Sequence, residues 1–276
     1  MAHKPIETQI HPFSLKSAVN SFCVIIPARL SSTRLPNKPL ADIHGLPMIV
    51  RVALRAAQSH ATRVVVACDD LRIQEVCLAH QIECVMTKST HLSGSDRLAE
   101  ACELLKLDDQ EVVVNVQGDE PLIEPELINE VAAKLHANAN SVMSTVAHPI
   151  QNQSDFDNPN VVKVVLSKSS RALYFTRCAV PFWRDAPKRD GNTFAAVLDS
   201  RSYSALRHVG LYAYKASFLK RFPLLEPSPL ERIESLEQLR VLWHDFSIEV
   251  HVSPNACASG VDTPEDLERV RQQLAK

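Results

Sequence analysis

Four segments of this chain are apolar without alternation: 22–27 (FCVIIP), 63–68 (RVVVAC), 83–87 (ECVMT) and 111–117 (EVVVNVQ). A strand with one wet face alternates in polarity, whereas a strand covered on both faces does not have to. Between these runs, residues 47–60, 71–81 and 96–106 carry apolar side chains at helical spacing. Strand, helix, strand, repeated, predicts an α/β fold around a mostly parallel sheet with right-handed crossovers. After a further helix at 125–138 the rhythm changes. SVMSTVAHP, NVVKVVLS, RALYFTR and RHVGLYAYK follow one another as strands with few helices between them. They predict an antiparallel extension of the sheet. A helix over 228–244, a strand at 246–252 and a closing helix from 263 complete the expectation.

The net charge of −2 gives no broad pull toward nucleic acid or a membrane surface, so neither is an expected partner. No apolar run is long enough to span a bilayer. The seven cysteines are odd in number, form no C-x-x-C pair and mostly sit in apolar runs. That usage fits a reducing, cytoplasmic setting and argues against a zinc site. Residues 1–20 read as a poorly ordered tail and 21–276 as one domain, with 184–197 (RDAPKRDGNTFAAV) as the expected mobile loop.

Ligands of open α/β sheets bind beyond the carboxyl ends of the strands. The first strand runs directly into Arg29, Arg34 and Lys38, on a loop stiffened by Pro36 and Pro39. Arginine forks onto phosphate oxygens and lysine supplies a point charge, so the trio suits a polyphosphate. A solvated basic loop is the competing reading. Neither G-x-G-x-x-G nor a P-loop occurs, so side chains and helix-start amides would hold the phosphates. The third strand leads to Ser93, Gly94 and Arg97, and the fourth to Gln117 and Asp119. A carboxylate just past a strand is a place for Mg²⁺, although acidic turns also cap helices. Asp262 is a second acid, in SGVDTPED; if the fold brings it to Asp119, two carboxylates, phosphate oxygens and water make a magnesium site. Glu237 falls on the stripe of Leu230, Ile233 and Val241 if residues 228–244 form one helix. A carboxylate there needs a partner, a polar ligand or an interface. Gln238, His208 and Tyr212 are candidates to line the same pocket.

With these residues in view, the chain resembles the 3-deoxy-manno-octulosonate cytidylyltransferases, a branch of the sugar nucleotidyltransferases. The likeness runs from about Phe22 to Gln272. IPARLSSTRLPNKPL, HGLPMIVRV, SGSDRLAE and VVNVQGDEP carry it in the first half. NPNVVKVV, ALYFTR, RHVGLYAY, PSPLERIESLEQLRVLW and GVDTPEDLERVR carry it in the second. The resemblance implies a mixed, Rossmann-like nucleotidyltransferase sheet whose antiparallel extension forms the sugar pocket and the interface of a homodimer. It implies a reaction of CTP with 3-deoxy-manno-octulosonate (KDO), assisted by Mg²⁺, for lipopolysaccharide biosynthesis. Arg29, Arg34 and Lys38 would hold the CTP phosphates, with Arg34, Lys38 and Asp119 central to turnover. Ser93, Arg97 and Gln117 would place the nucleotide. Asp119 and Asp262 would bind the metal, and Arg177, His208, Tyr212, Glu237 and Gln238 would line the KDO pocket. Residues 21–140 would then be the CTP-binding half, 141–255 the sugar and dimer half, and 256–276 the metal loop and last helix. Two positions depart from the family pattern: Asn37 where glycine is more usual, and Cys68 before Asp69 where ATD is usual. A cytidylyltransferase for another acidic sugar, such as a sialic acid, and a CTP-binding regulator without turnover remain alternatives.

Overall fold

Val24 and Ile26 face one side of the first strand, Cys23 and Ile25 the other, and all four are buried. Apolar side chains on both faces demand cover on both, and the rest of the chain supplies it. The computed structural model describes residues 20–31, 34–91, 93–182, 184, 204–258 and 260–275. Residues 1–19 of the expected tail and 185–197 of the expected loop lie outside the described residues.

The first half alternates as expected. It comprises β1 (Phe22–Ala28), a small antiparallel pair β2 (Asp42–Ile43) and β3 (Leu46–Pro47), α1 (Met48–Ala56), β4 (Arg63–Cys68), α2 (Leu71–Ala79), β5 (Glu83–Met86), α3 (Gly94–Leu104), β6 (Val112–Asn115) and α4 (Pro125–His136). The second half holds β7 (Met143–Pro149), α5 (Gln153–Asp157), β8 (Lys163–Leu166), β9 (Ala172–Thr176) and β10 (Leu206–Lys215). It continues with α6 (Ala216–Arg221), α7 (Pro229–Glu234), α8 (Leu239–Trp243), β11 (Ile248–Val252) and α9 (Pro264–Leu274).

One sheet joins both halves, in the order β11-β7-β10-β6-β1-β4-β5, with β8 paired to β10 and β9 to β8. β6, β1, β4 and β5 are mutually parallel, β10 runs against β6 and β7, and β11 is parallel to β7. Two apolar clusters cover the two faces. One gathers Val24, Ile26, Val66 and Val114 with residues of α1, α2, α4 and α9. The other gathers Cys23, Ile25, Ala67 and Val113 with α3, α6 and α8.

β10 decides where the second half enters. Its Tyr212 pairs with Asn115, the last residue of β6, so residues 206–211 project past the end of β6. Between Val209 and Tyr212 it bulges: His208 and Tyr212, four apart in sequence, lie opposite Ala147 and Thr145, two apart. Two extra residues keep both side chains on one face and bring their rings to 5.4 Å.

The expected single helix over 228–244 is corrected. Ser235 adopts left-handed φ 51, ψ 49 and separates α7 from α8. Ile233, assigned to a buried stripe, is 79% exposed. The expected start is nevertheless in place: Ser228 accepts from Glu231 N and Glu231 returns to the Ser228 amide. The same reciprocal cap joins Thr263 and Asp266 at α9, and Ser93 and Asp96 at α3.

Candidate active site

Lys38 opens a short 3₁₀ turn (Lys38–Leu40) after the first strand. The turn is set by Asn37 at φ 54, ψ 33, a left-handed conformation that asparagine tolerates better than most residues. The departure from glycine there therefore leaves the backbone shape intact. From this turn Lys38 Nζ donates to Asp119 Oδ2 at 2.5 Å, to Asp262 Oδ1 at 3.1 Å and to the Val261 carbonyl at 2.9 Å. Arg34 lies 3.2 Å from the same Asp262 oxygen. Acids 143 residues apart in sequence thus meet on one ammonium.

Backbone geometry enforces that meeting. Val261 N donates to the Asp119 carbonyl at 2.8 Å, strapping the C-terminal segment to the loop after β6. A Cβ at Gly260 would stand 3.3 Å from that same carbonyl oxygen. Gly118 is tighter still, for a Cβ there would lie 2.8 Å from the Pro27 carbonyl, below any normal contact. The loop after β6 lies so close to the end of β1 that position 118 has no room for a side chain, and position 260 has little.

Arg29, Ser31, Arg34, Lys38, Gln117, Asp119 and Asp262 border an open cleft of ≈ 670 Å³. Among the described residues no group of three or more His, Cys, Asp or Glu side chains comes together as a metal site. Asp119 and Asp262 bring two negative charges against the one positive charge of Lys38, and their oxygens fit a small dication that takes its other ligands from phosphate and water.

Next to this cleft, Arg29, His91, Ser93, Gly94, Arg97 and Gln117 line a recess of ≈ 240 Å³. Arg97 is buried and spoken for: it donates to Thr87 Oγ1 at 2.6 Å and Asp69 Oδ2 at 2.8 Å. Its rigid fork forms the wall of the recess.

Gln117 also borders a third cavity, of ≈ 120 Å³, lined by Ser95, Asn115, Tyr212, Tyr214, Glu237 and Gln238 among others. Glu237 reaches it from the joint between α7 and α8, not from a helical stripe. Ser95 Oγ donates to its carboxylate at 2.7 Å. Burial raises the Glu237 pKa, and burial plus the Glu237 charge raises that of Tyr212.

His208 packs behind Tyr212, edge-on to Phe175 at 4.9 Å. Thr145 has one hydroxyl hydrogen and its shortest acceptor is the Leu211 carbonyl at 2.8 Å. His208 Nε2, 3.0 Å away, must then be the protonated nitrogen of a neutral ring. The packing round that ring pushes the His208 pKa down to about 3.

Arg177 is placed differently from the other candidates. Its Nε donates to the Glu234 carbonyl at 2.6 Å and its Nη1 to the Pro159 carbonyl at 3.0 Å. Its amide donates to the Glu234 carboxylate at 2.9 Å, which also accepts from Thr176 Oγ1 at 2.7 Å. Arg177 grips the backbone beside Ser235, the joint that carries Glu237 and Gln238. Sequence reasoning passed over Ser95, Asn115 and Tyr214. The signal for Asn115 was present: one amide inside a run of valines.

Known proteins share sequence and fold with this chain. A family model described as Cytidylyltransferase matches residues 23–249. A 3-deoxy-manno-octulosonate cytidylyltransferase of Acidovorax sp. is 57% identical over 258 residues, covering 92% of this chain and 97% of that protein. Its namesake from Methylibium petroleiphilum is 57% identical over 254 residues, covering 92% and 95%. A solved CMP:2-keto-3-deoxy-manno-octonic acid synthetase complexed with CTP superposes with a TM-score of 0.82 at 36% identity. It covers 92% of this chain and 98% of its own.

Proposed function

The chain belongs to the cytidylyltransferase family, among the 3-deoxy-manno-octulosonate cytidylyltransferases, and on that premise we propose that it transfers CMP from CTP to KDO with release of pyrophosphate. The observation that carries the reading is the junction at Lys38, where Asp119 and Asp262 converge beside three cations at the mouth of the sheet.

The anomeric C2 hydroxyl of KDO attacks the α-phosphorus of CTP, the new P–O bond forms, and the bond to pyrophosphate breaks in line. Arg29, Arg34 and Lys38 gather the triphosphate and offset the charge that builds on its oxygens. Ser93, Arg97 and Gln117 wall the recess that takes the rest of the nucleotide. Gln117 borders both that recess and the Glu237 cavity, so a sugar held by Tyr212, Glu237 and Gln238 has its reacting end at the cleft. Asp119 and Asp262 are the residues that would hold Mg²⁺, which would neutralise phosphate charge and lower the barrier to loss of a proton from the sugar hydroxyl. His208, neutral and tied to Thr145, orients Tyr212 and carries no proton in the reaction.

The reading extends to a cytoplasmic homodimer serving lipopolysaccharide assembly. Leu173, 60% exposed on the outermost strand β9, and Phe182, 83% exposed just beyond it, are apolar side chains that a second copy would cover. No described helix is long and apolar enough to cross a membrane.

Pyrophosphate release from CTP, measured with Mg²⁺ in the presence and absence of KDO, tests the function. Release that requires KDO is expected. Release that ignores the sugar, or that follows a sialic acid and not KDO, would overturn the proposed substrate.

A further inference from the structure

Residues 112–116 read VVVNV, and the four valines fill the two cores of the sheet. Alternation along β6 turns Asn115 to the same side as Val113, the face covered by α3, α6 and α8. Asn115 is 3% exposed, and its Oδ1 is buried without a hydrogen-bond partner. A carbonyl stripped of water and left unpaired lowers stability, and a valine would remove the penalty. Asn115 is one of the residues lining the ≈ 120 Å³ cavity, with Ser95, Tyr212, Tyr214, Glu237 and Gln238.

The lining states what the cavity accepts. Asn115 Oδ1 and the Glu237 carboxylate are both acceptors, and Ser95 already gives its hydrogen to Glu237. Tyr212, Tyr214 and Gln238 in the same lining donate as well as accept, so the complement is a set of hydroxyls, which do both; a carboxylate or a phosphate would meet the Glu237 charge. The space suits one end of a polyhydroxylated sugar and not the whole molecule. We propose that Asn115 Oδ1 accepts a hydrogen bond from a hydroxyl of the sugar's polyol portion in this cavity, which makes Asn115 a specificity-determining residue and leaves the sugar's carboxylate outside. The proposal rests on the substrate class inferred above.

Valine and threonine have the same shape, both suit a strand, and only threonine carries an acceptor. Asn115→Val is expected to raise the KM for KDO by about tenfold or more while the KM for CTP stays within about twofold. Its Tm should equal or exceed that of the unaltered chain, because an unpaired buried carbonyl is gone. Asn115→Thr should reverse part of that rise in KM. Among KDO analogues each lacking one hydroxyl, one should be a poor substrate for the unaltered chain, yet Asn115→Val should treat it like KDO.

A KDO KM within about twofold of normal in Asn115→Val would overturn the proposal, since a lost contact to a substrate hydroxyl costs more than that. So would a fall in Tm with both KM values rising together, which marks a structural role. Turnover by the unaltered chain is read first. If it rejects KDO, the substrate reading fails by itself, and the Val and Thr pair is measured with whichever acidic sugar it accepts.

Discussion

At the scale of single residues, charge and backbone geometry divide the labour at the mouth of the sheet. Asp119→Asn keeps the shape of the loop and removes one of two carboxylates facing Lys38. Turnover should fall by about a hundredfold or more, on the order of 3 kcal/mol in the barrier, with the melting temperature little changed. Lys38 keeps Asp262 and the Val261 carbonyl as partners in that variant, and an asparagine can still accept from it, so no buried charge is stranded. Unaltered kcat in Asp119→Asn, with the same dependence on Mg²⁺, would remove Asp119 from the reaction. Asn37 tests backbone shape without charge. Asn37→Ala in its left-handed conformation should cost about 1 kcal/mol in a denaturant melt, while Asn37→Gly should be close to neutral. Gly118→Ala combines both effects, because the added carbon meets the Pro27 carbonyl at 2.8 Å. Stability should drop by about 1–3 kcal/mol, and kcat with it, as the loop that carries Asp119 is forced away from the end of β1.

At the scale of elements, the joint between α7 and α8 and the bulge in β10 aim the sugar-side residues. Helical periodicity was a good guide to the alternating first half, where each helix is continuous and packs on one face of the sheet. It misled at 228–244, because nothing local marks Ser235 as left-handed. Three groups from the end of β9 hold that joint: Arg177, Thr176 and, at 3.4 Å from the Glu234 carboxylate, the Tyr174 hydroxyl. Glu234→Gln keeps the size of the side chain but loses the charge that binds Thr176 and the Arg177 amide. The KM for KDO should rise several-fold, with that for CTP unchanged; equal changes in both would show that the joint does not serve the sugar side.

At the scale of the whole molecule, one sheet carries both halves of the site, and its packing sets the response to pH. Burial holds the pKa values of His136, His148, His208 and His251 below the ordinary value of 6.5. The unfolded chain therefore binds protons below about pH 6.5 that the folded chain refuses, so stability is present above that pH and is lost as pH falls toward 3. The histidine share of stability should fall from about pH 6.5 downward, while burial of Glu120, which lifts its pKa to about 8, and of Glu237 works in the opposite sense, so variants are compared with the unaltered chain across the same pH range. His208→Gln, whose amide can still donate to Thr145, should lose less melting temperature, or gain more, than the unaltered chain as pH falls below 6.5. A pH dependence identical to that of the unaltered chain would mean His208 is not among the groups responsible. What the sequence determined by itself was local: which runs are buried on both faces, where helices are capped, and that cations and acids follow strand ends. Apolar runs and caps are written in consecutive residues, so the alternating half and the helix starts at Ser228 and Thr263 were legible. Only the tertiary structure decided that Asp262 stands beside Asp119, that Glu237 enters its cavity from a broken helix, and that Asn115 is left unpaired. Those outcomes depend on a backbone strap, a left-handed residue and a strand bulge, each set by contacts between segments far apart in the chain.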